Sequence, residues 1–197
     1  METQIYLVRH GQIELKNEKT YIGQLDLPLS PEGMKQAQTL QEQFKQISLD
    51  CAYTSPLCRC VATLDILLGE RSIPRFTIEA LQEINMGDWD GKSFAEIEEH
   101  YPGSYEQRGR ELDVFAPPAG ESFVALQKRV LPAFAEMVKE NDTRSIVILA
   151  HAGVIRVILA NLFGLTIKEV FKWKIPYAAS FKLCYNQKSG KWICQNQ

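Results

Sequence analysis

Ile5-Tyr6-Leu7-Val8-Arg9-His10-Gly11 begins with four apolar side chains in a row and breaks abruptly into an arginine, a histidine and a glycine. An apolar run without alternation suits a strand buried on both faces of a parallel sheet. A second run, Ile146 to Ala150, stops in the same way at His151-Ala152-Gly153. Between them the chain alternates strand and helix signals. Ser30-Pro31-Glu32 supplies an N-cap, a first-turn proline and an early acid. Met34, Ala37, Leu40, Phe44 and Ile47 then recur at helical spacing as one apolar face. Cys51 to Thr54 reads as a second strand. Ser55-Pro56 repeats the start signal for a helix with a Leu57, Cys60, Val61, Leu64, Leu68 stripe.

Arg75 to Ile78 is a third candidate strand, followed by a loop with Glu83, Gly87, Trp89 and Gly91. Ser93 and Glu96 form a capping box for a short helix that ends before Pro102. Residues 102–120, rich in proline and glycine, read as irregular, so 92–120 is expected to be a cap or lid. Phe123, Leu126, Val130, Phe134 and Met137 mark a long helix, expected to bend at Pro132. Phe181, Leu183 and Tyr185 alternate with Lys182 and Cys184, and with a turn at 186–190 they predict a closing edge hairpin. The expected fold is therefore an α/β three-layer sandwich with a mainly parallel central sheet, a cap insertion and a C-terminal hairpin, in one domain over 1–197.

Composition narrows the function. Twenty-two basic against 24 acidic side chains leave a net charge of −2, and the basic residues are scattered, which argues against nucleic acid as partner. A chain of 197 residues buries about 70% of its unfolded surface and needs no staple. Its five cysteines, including Cys58-Arg59-Cys60, lack a partner pair at zinc spacing, so they are expected to be reduced thiols of a cytoplasmic protein. The opening Met-Glu-Thr-Gln carries no basic leader, and no signal peptide is expected. Ile146 to Leu165 is nearly long enough to span a bilayer, but His151, Gly153, Arg156 and Asn161 fit strand, turn and buried helix better, so no membrane partner is expected.

In α/β sheets ligands bind beyond the carboxyl ends of the strands. His10 and His151 each follow one of the two most buried strands and so share that rim. Taken singly, His10 is as readily a structural strand end, and His151 leans towards that role. Arg59 alone would read as a surface ion pair, and Glu83 as a solvated loop charge. Arg9 is more pointed, because a guanidinium after an apolar strand needs an anion or an exit to water. Arg59 also lies in the first helical turn, where free N–H groups attract anions.

Together, Leu7-Val8-Arg9-His10-Gly11, Thr54-Ser55-Pro56-Leu57-Cys58-Arg59, Glu83 with Gly87-Asp88-Trp89-Asp90-Gly91, and His151-Ala152-Gly153 resemble the histidine phosphatase (phosphoglycerate-mutase-like) superfamily. Tyr21 to Ser30, Pro118-Ala119-Gly120-Glu121-Ser122 and His151-Ala152-Gly153-Val154-Ile155-Arg156 most resemble its α-ribazole phosphatase branch. Ile13 stands where the family usually has Thr or Ser, Asn17 about one residue beyond the usual asparagine, and Ala152 where a glycine is common.

The resemblance implies a metal-independent phosphomonoesterase without cofactor. His10 would attack phosphorus, Arg9, Arg59, His151 and Asn17 would hold the phosphoryl oxygens, and Glu83 would serve as proton donor and acceptor. A mutase would need cationic groups for a second anion. The stretch 92–118 offers Lys92, Arg108 and Arg110 against six acids, so a phosphatase is expected, with a cofactor-dependent phosphoglycerate mutase, a broad-specificity phosphatase and a degenerate phospho-ligand binder as the alternatives. Trp89, Phe94, Tyr101, Tyr105 and Phe115 load the loop and cap with aromatic rings. Most should pack the cap, and one or two facing the cleft would favour a planar leaving group such as that of α-ribazole 5′-phosphate.

Overall fold

The computed structural model describes residues 2–15, 20–186 and 190–196. Strand β1 (Thr3–Arg9) leads through helix α1 (Pro31–Phe44) to β2 (Cys51–Thr54), then through α2 (Cys58–Leu68) to β3 (Arg75–Thr77). Single 3-10 turns at Glu79–Leu81 and Gly87–Trp89 precede two short helices, α3 (Phe94–His100) and α4 (Ser104–Arg110). The long α5 (Phe123–Glu140) is followed by β4 (Ser145–Ala150), α6 (Ala152–Phe163), α7 (Ile167–Phe171) and the strands β5 (Ser180–Asn186) and β6 (Lys191–Asn196).

The sheet runs β3-β2-β4-β1-β5-β6. β1 to β4 are mutually parallel, and β5 and β6 are added antiparallel beside β1. The unbroken apolar runs have a direct cause. Ile5 and Leu7 of β1, with Ile146, Ile148 and Ala150 of β4, face a core shared with α5 and α6. Tyr6 and Val8, with Val147 and Leu149, face the other core, against Leu40 and Phe44 of α1 and Cys60, Leu64 and Leu68 of α2. Both faces of the central strands are buried, giving the three layers expected.

Caps behave as their chemistry predicts. Ser30 Oγ accepts from Gly33 N–H at the start of α1, and the Ser93–Glu96 capping box is present at α3. All five apolar stripe residues of α5 are buried, and that helix continues through Pro132. Several details differ from the sequence reading. Met34 is 46% exposed although it falls on the helix spacing, because α1 turns Gly33, Ala37, Leu40 and Phe44 inward. Helix α2 begins at Cys58 after Leu57, not at Ser55-Pro56. Residues 102–120 are not wholly irregular: α4 forms there with no buried residue, so it leaves no apolar stripe to read. Most of the expected 186–190 turn, at 187–189, lies outside the described residues. Among the described residues no helix is long and apolar enough to cross a membrane; the 146–165 window is β4 followed by α6.

Candidate active site

The strand order sets β4 between β1 and β2, so His10, His151 and Ser55 leave three adjacent parallel strands at the same rim. His10 is buried and its Nδ1 lies 2.7 Å from the Gly11 carbonyl oxygen. A carbonyl can only accept, so Nδ1 carries the proton and Nε2 keeps its lone pair. The turn that makes this possible is tight. A Cβ on Gly11 would meet the Gly33 carbonyl oxygen at 2.5 Å, so the β1 exit and the first turn of α1 touch backbone to backbone. Burial, then the charges of Arg59 and Arg9, hold the His10 pKa well below the ordinary histidine value. The imidazole is neutral at pH 7.

Arg9 donates from Nη1 to the Ile175 carbonyl at 2.6 Å, and its guanidinium lies 3.9 Å over the ring of Tyr177. Its buried Nε has no acceptor among the described residues, which leaves donor capacity for an anion. Arg59 is buried and fully oriented. Its Nε donates to His151 Nδ1 at 3.3 Å, Nη1 to Leu25 O at 2.8 Å and Nη2 to Gly23 O at 2.6 Å. Two of its five N–H groups remain. The α2 N-terminus, expected to be open to phosphate, is instead taken by Asp26, whose carboxylate accepts from Cys58 N–H at 2.8 Å.

His151 is fully buried behind this front. Because Arg59 can only donate, His151 Nδ1 is the acceptor, and Nε2–H donates to Ser55 Oγ at 2.8 Å. Burial, then nearby His10 and the surrounding arginines, hold its pKa well below the usual value. Its ring meets that of His10 edge-on, with centroids 5.0 Å apart. Both nitrogens are thus engaged by protein groups. Asn17 lies outside the described residues.

Glu83 sits at the N-terminus of α6. Its Oε1 accepts from Ile84 N–H at 2.9 Å, and both carboxylate oxygens accept from Gly153 N–H at 3.1 Å. Any Cβ at position 153 would stand 2.3 Å from Oε1, so only glycine leaves this seat open. The segment carrying Glu83 is tied by Arg129 of α5, which sequence reading did not single out. Arg129 donates to the carbonyls of Ala80, Gln82 and Glu83 and to the Glu121 carboxylate.

Arg9, His10, Arg59 and Glu83 line one cleft of about 300 Å³, together with Ile13, Tyr21, Ile22, Phe94, Ala152 and Tyr177. Of the loop and cap aromatics singled out from sequence, Phe94 lines it, with its ring 4.8 Å from that of Tyr21. Trp89 is instead wholly buried, 5.4 Å from Phe115. Tyr21 and Tyr177 had been missed. The residue 90 carboxylate holds the strip bearing Tyr21 and Ile22: Asp90 accepts from Gly23 N–H and Leu25 N–H, each at 2.8 Å.

A buried neutral imidazole between two guanidiniums, with a carboxylate in the same cleft, can transfer and hold a phosphoryl group. The chain is 26% identical over 184 residues to the adenosylcobalamin/alpha-ribazole phosphatase of Escherichia coli, covering 93% of this chain and 91% of that protein. It is 31% identical over 170 residues to the 2,3-bisphosphoglycerate-dependent phosphoglycerate mutase of Cytophaga hutchinsonii, covering 84% and 80%. The crystal structure of the alpha-ribazole phosphatase from Shigella flexneri superposes with a TM-score of 0.90 at 25% identity, covering 98% of this chain and 95% of that one. The model of the histidine phosphatase superfamily (branch 1) matches residues 5–197. Nearly the whole sequence carries that match, and the chain belongs to the histidine phosphatase superfamily.

Proposed function

We propose that the protein is a phosphomonoesterase working through a phosphohistidine on His10. The observation that carries this reading is the His10 ring, with Nδ1–H tied to Gly11 and the Nε2 lone pair left in a cleft shared with Arg9, Arg59 and Glu83. Nε2 attacks phosphorus as the ester P–O bond breaks, and Glu83 gives its carboxyl proton to the leaving oxygen. Water then attacks the phosphohistidine. Glu83 takes a proton from that water, the N–P bond breaks, and its electron pair returns to Nε2.

Arg9 and Arg59 hold the phosphoryl oxygens through their remaining N–H groups. Charged hydrogen bonds of this kind contribute about 1.5–3 kcal/mol each. His151 orients Arg59 and joins the clamp by exchanging its Ser55 hydrogen bond for a phosphoryl oxygen. Asn17 is assigned to the same clamp on the family resemblance. No metal enters the scheme, in which the cations are the side chains of Arg9 and Arg59. The chain works as one unit, with 92–120 as its cap; Phe94 reaches the cleft and Arg108 lies 5.2 Å over Tyr21.

The substrate is a small metabolite with a flat leaving group, α-ribazole 5′-phosphate being the closest candidate. Supporting this are the likeness to alpha-ribazole phosphatases and the rings of Tyr21, Phe94 and Tyr177 on the cleft walls. One stacked face contributes about 0.5–1.5 kcal/mol, a several-fold preference. The test is phosphate release from a panel of phosphomonoesters, with 3-phosphoglycerate isomerisation run alongside. The expected order of kcat/KM puts α-ribazole 5′-phosphate above ribose 5-phosphate and 3-phosphoglycerate. Equal or better use of ribose 5-phosphate reduces the rings to packing, and dominant isomerisation makes the protein a mutase like its Cytophaga relative.

A further inference from the structure

Arg129 spends its whole guanidinium on one short stretch of backbone and on the Glu121 carboxylate. Nη1 donates to Ala80 O at 2.7 Å and Gln82 O at 2.9 Å, and Nη2 donates to Glu83 O at 2.9 Å. Nε and Nη2 form a fork on Glu121, at 2.8 and 2.9 Å to its two oxygens. Glu121 in turn accepts from Asn85 N–H at 3.1 Å, and its own N–H donates to Asn85 O at 2.8 Å. Every polar backbone group that this pair grips lies within residues 80–85. The ion pair is largely sheltered, with side chains 25% and 15% exposed. An arginine fork fixes geometry in a way that a single ammonium cannot.

The stretch so gripped has no regular structure of its own beyond one 3-10 turn at Glu79–Leu81. Its side chain of consequence is Glu83, anchored at the other end by Gly153 N–H. We propose that Arg129, braced by Glu121, is a positioning residue for Glu83. It fixes the Glu83 backbone so that the carboxylate stays on the α6 N-terminus and within reach of the leaving oxygen. The proposal rests on the reading of Glu83 as the proton-transfer group. The positive charge of Arg129 also helps to keep His151 neutral.

A residue that merely stabilises the fold would lower activity on every substrate alike. A residue acting through the proton donor would not, because p-nitrophenolate leaves with little need of a proton whereas an alkoxide needs one. The comparison is made on kcat/KM, which reports phosphoryl transfer to His10 and is blind to the later hydrolysis shared by all substrates. Arg129→Lys, Glu121→Gln and Glu83→Gln are assayed on p-nitrophenyl phosphate and ribose 5-phosphate, with thermal unfolding recorded for each.

A misplacement of about 1 Å costs on the order of 10²-fold. Arg129→Lys is expected to lose about 10- to 100-fold on ribose 5-phosphate and less than about threefold on p-nitrophenyl phosphate. Glu121→Gln, which keeps the three carbonyl bonds and is the milder change, shows a smaller loss with the same selectivity. In the Glu83→Gln background, Arg129→Lys adds nothing further on ribose 5-phosphate. Equal losses on both substrates in Arg129→Lys and Glu121→Gln, while Glu83→Gln discriminates, overturn the positioning role and leave the Glu83 reading standing. A Glu83→Gln enzyme that does not discriminate overturns both.

Discussion

Replacing Gly153 with alanine tests the seat of Glu83 with a single methyl group. The new Cβ would lie 2.3 Å from Glu83 Oε1, with Glu83 Cδ at 3.3 Å and Leu126 Cδ2 at 3.4 Å. Ordinary contact needs about 3.5 Å, so the carboxylate must retreat by roughly 1 Å. It thereby leaves the Gly153 N–H that now holds both of its oxygens. A displacement of that size costs about 10²-fold when the group takes part in the chemistry. Stability moves little: overpacking costs about 1–3 kcal/mol, and alanine in a helix returns up to ~1 kcal/mol over glycine. For a chain of this length the net change lowers Tm by no more than about 12 °C. The assay is kcat/KM for ribose 5-phosphate and p-nitrophenyl phosphate, with a thermal scan. A variant that keeps its activity on ribose 5-phosphate, or loses equally on both substrates, refutes the idea that this carboxylate delivers the proton from this seat.

His10→Ala is expected to abolish turnover and acid-labile phosphoprotein while unfolding near the parent temperature; near-normal phosphate release would end the phosphohistidine reading. Exhaustive chelation should leave activity intact, and loss restored by Mg²⁺ or Zn²⁺ would overturn the mechanism. The acid limb of kcat/KM should lie below pH 6.5, because burial and the two arginines depress the His10 pKa; a limb at or above 6.5 contradicts that environment. His10 and His151 are both depressed, so the unfolded chain binds more protons than the folded one below pH 6.5, and stability measured by urea unfolding should decline as pH falls from there.

The parts of the molecule legible in the sequence are those whose cause is local or periodic. β1 and β4 announce themselves as apolar runs because both of their faces are buried. The five-residue stripe of α5 and the caps at Ser30 and Ser93 follow the same local logic. Helix α4 was hidden because it buries nothing, so only its proline and glycine neighbours were visible. At the site, the strand ends identified the two histidines and Arg9. What could not be read was which side chains support them. Arg129 reaches Glu83 across 46 residues and Asp90 reaches Gly23 across 67, and neither separation has a period. The aromatic residues make the same point: Trp89 turns into the core and Tyr177, far along the chain, turns towards Arg9.

The strand that ends in Arg9, just before His10, is paired in the sheet by segments made long after it. Its two neighbours in the sheet, β4 and β5, are drawn from residues 145–150 and 180–186. At a synthesis rate of about 5–20 residues per second, β1 waits roughly 7–30 s before β4 exists to receive it, and longer for β5. Until then its backbone donors and apolar side chains have no sheet to join, which is the circumstance that slows folding and invites wrong partners. A chain cut after Ala179 would retain His10, Arg59, Glu83, His151 and Tyr177 and still leave one edge of the nucleophile's strand bare. Among the described residues, those after Ala179 contribute no side chain lining the cleft, yet they close the sheet beside the strand that leads to the nucleophile.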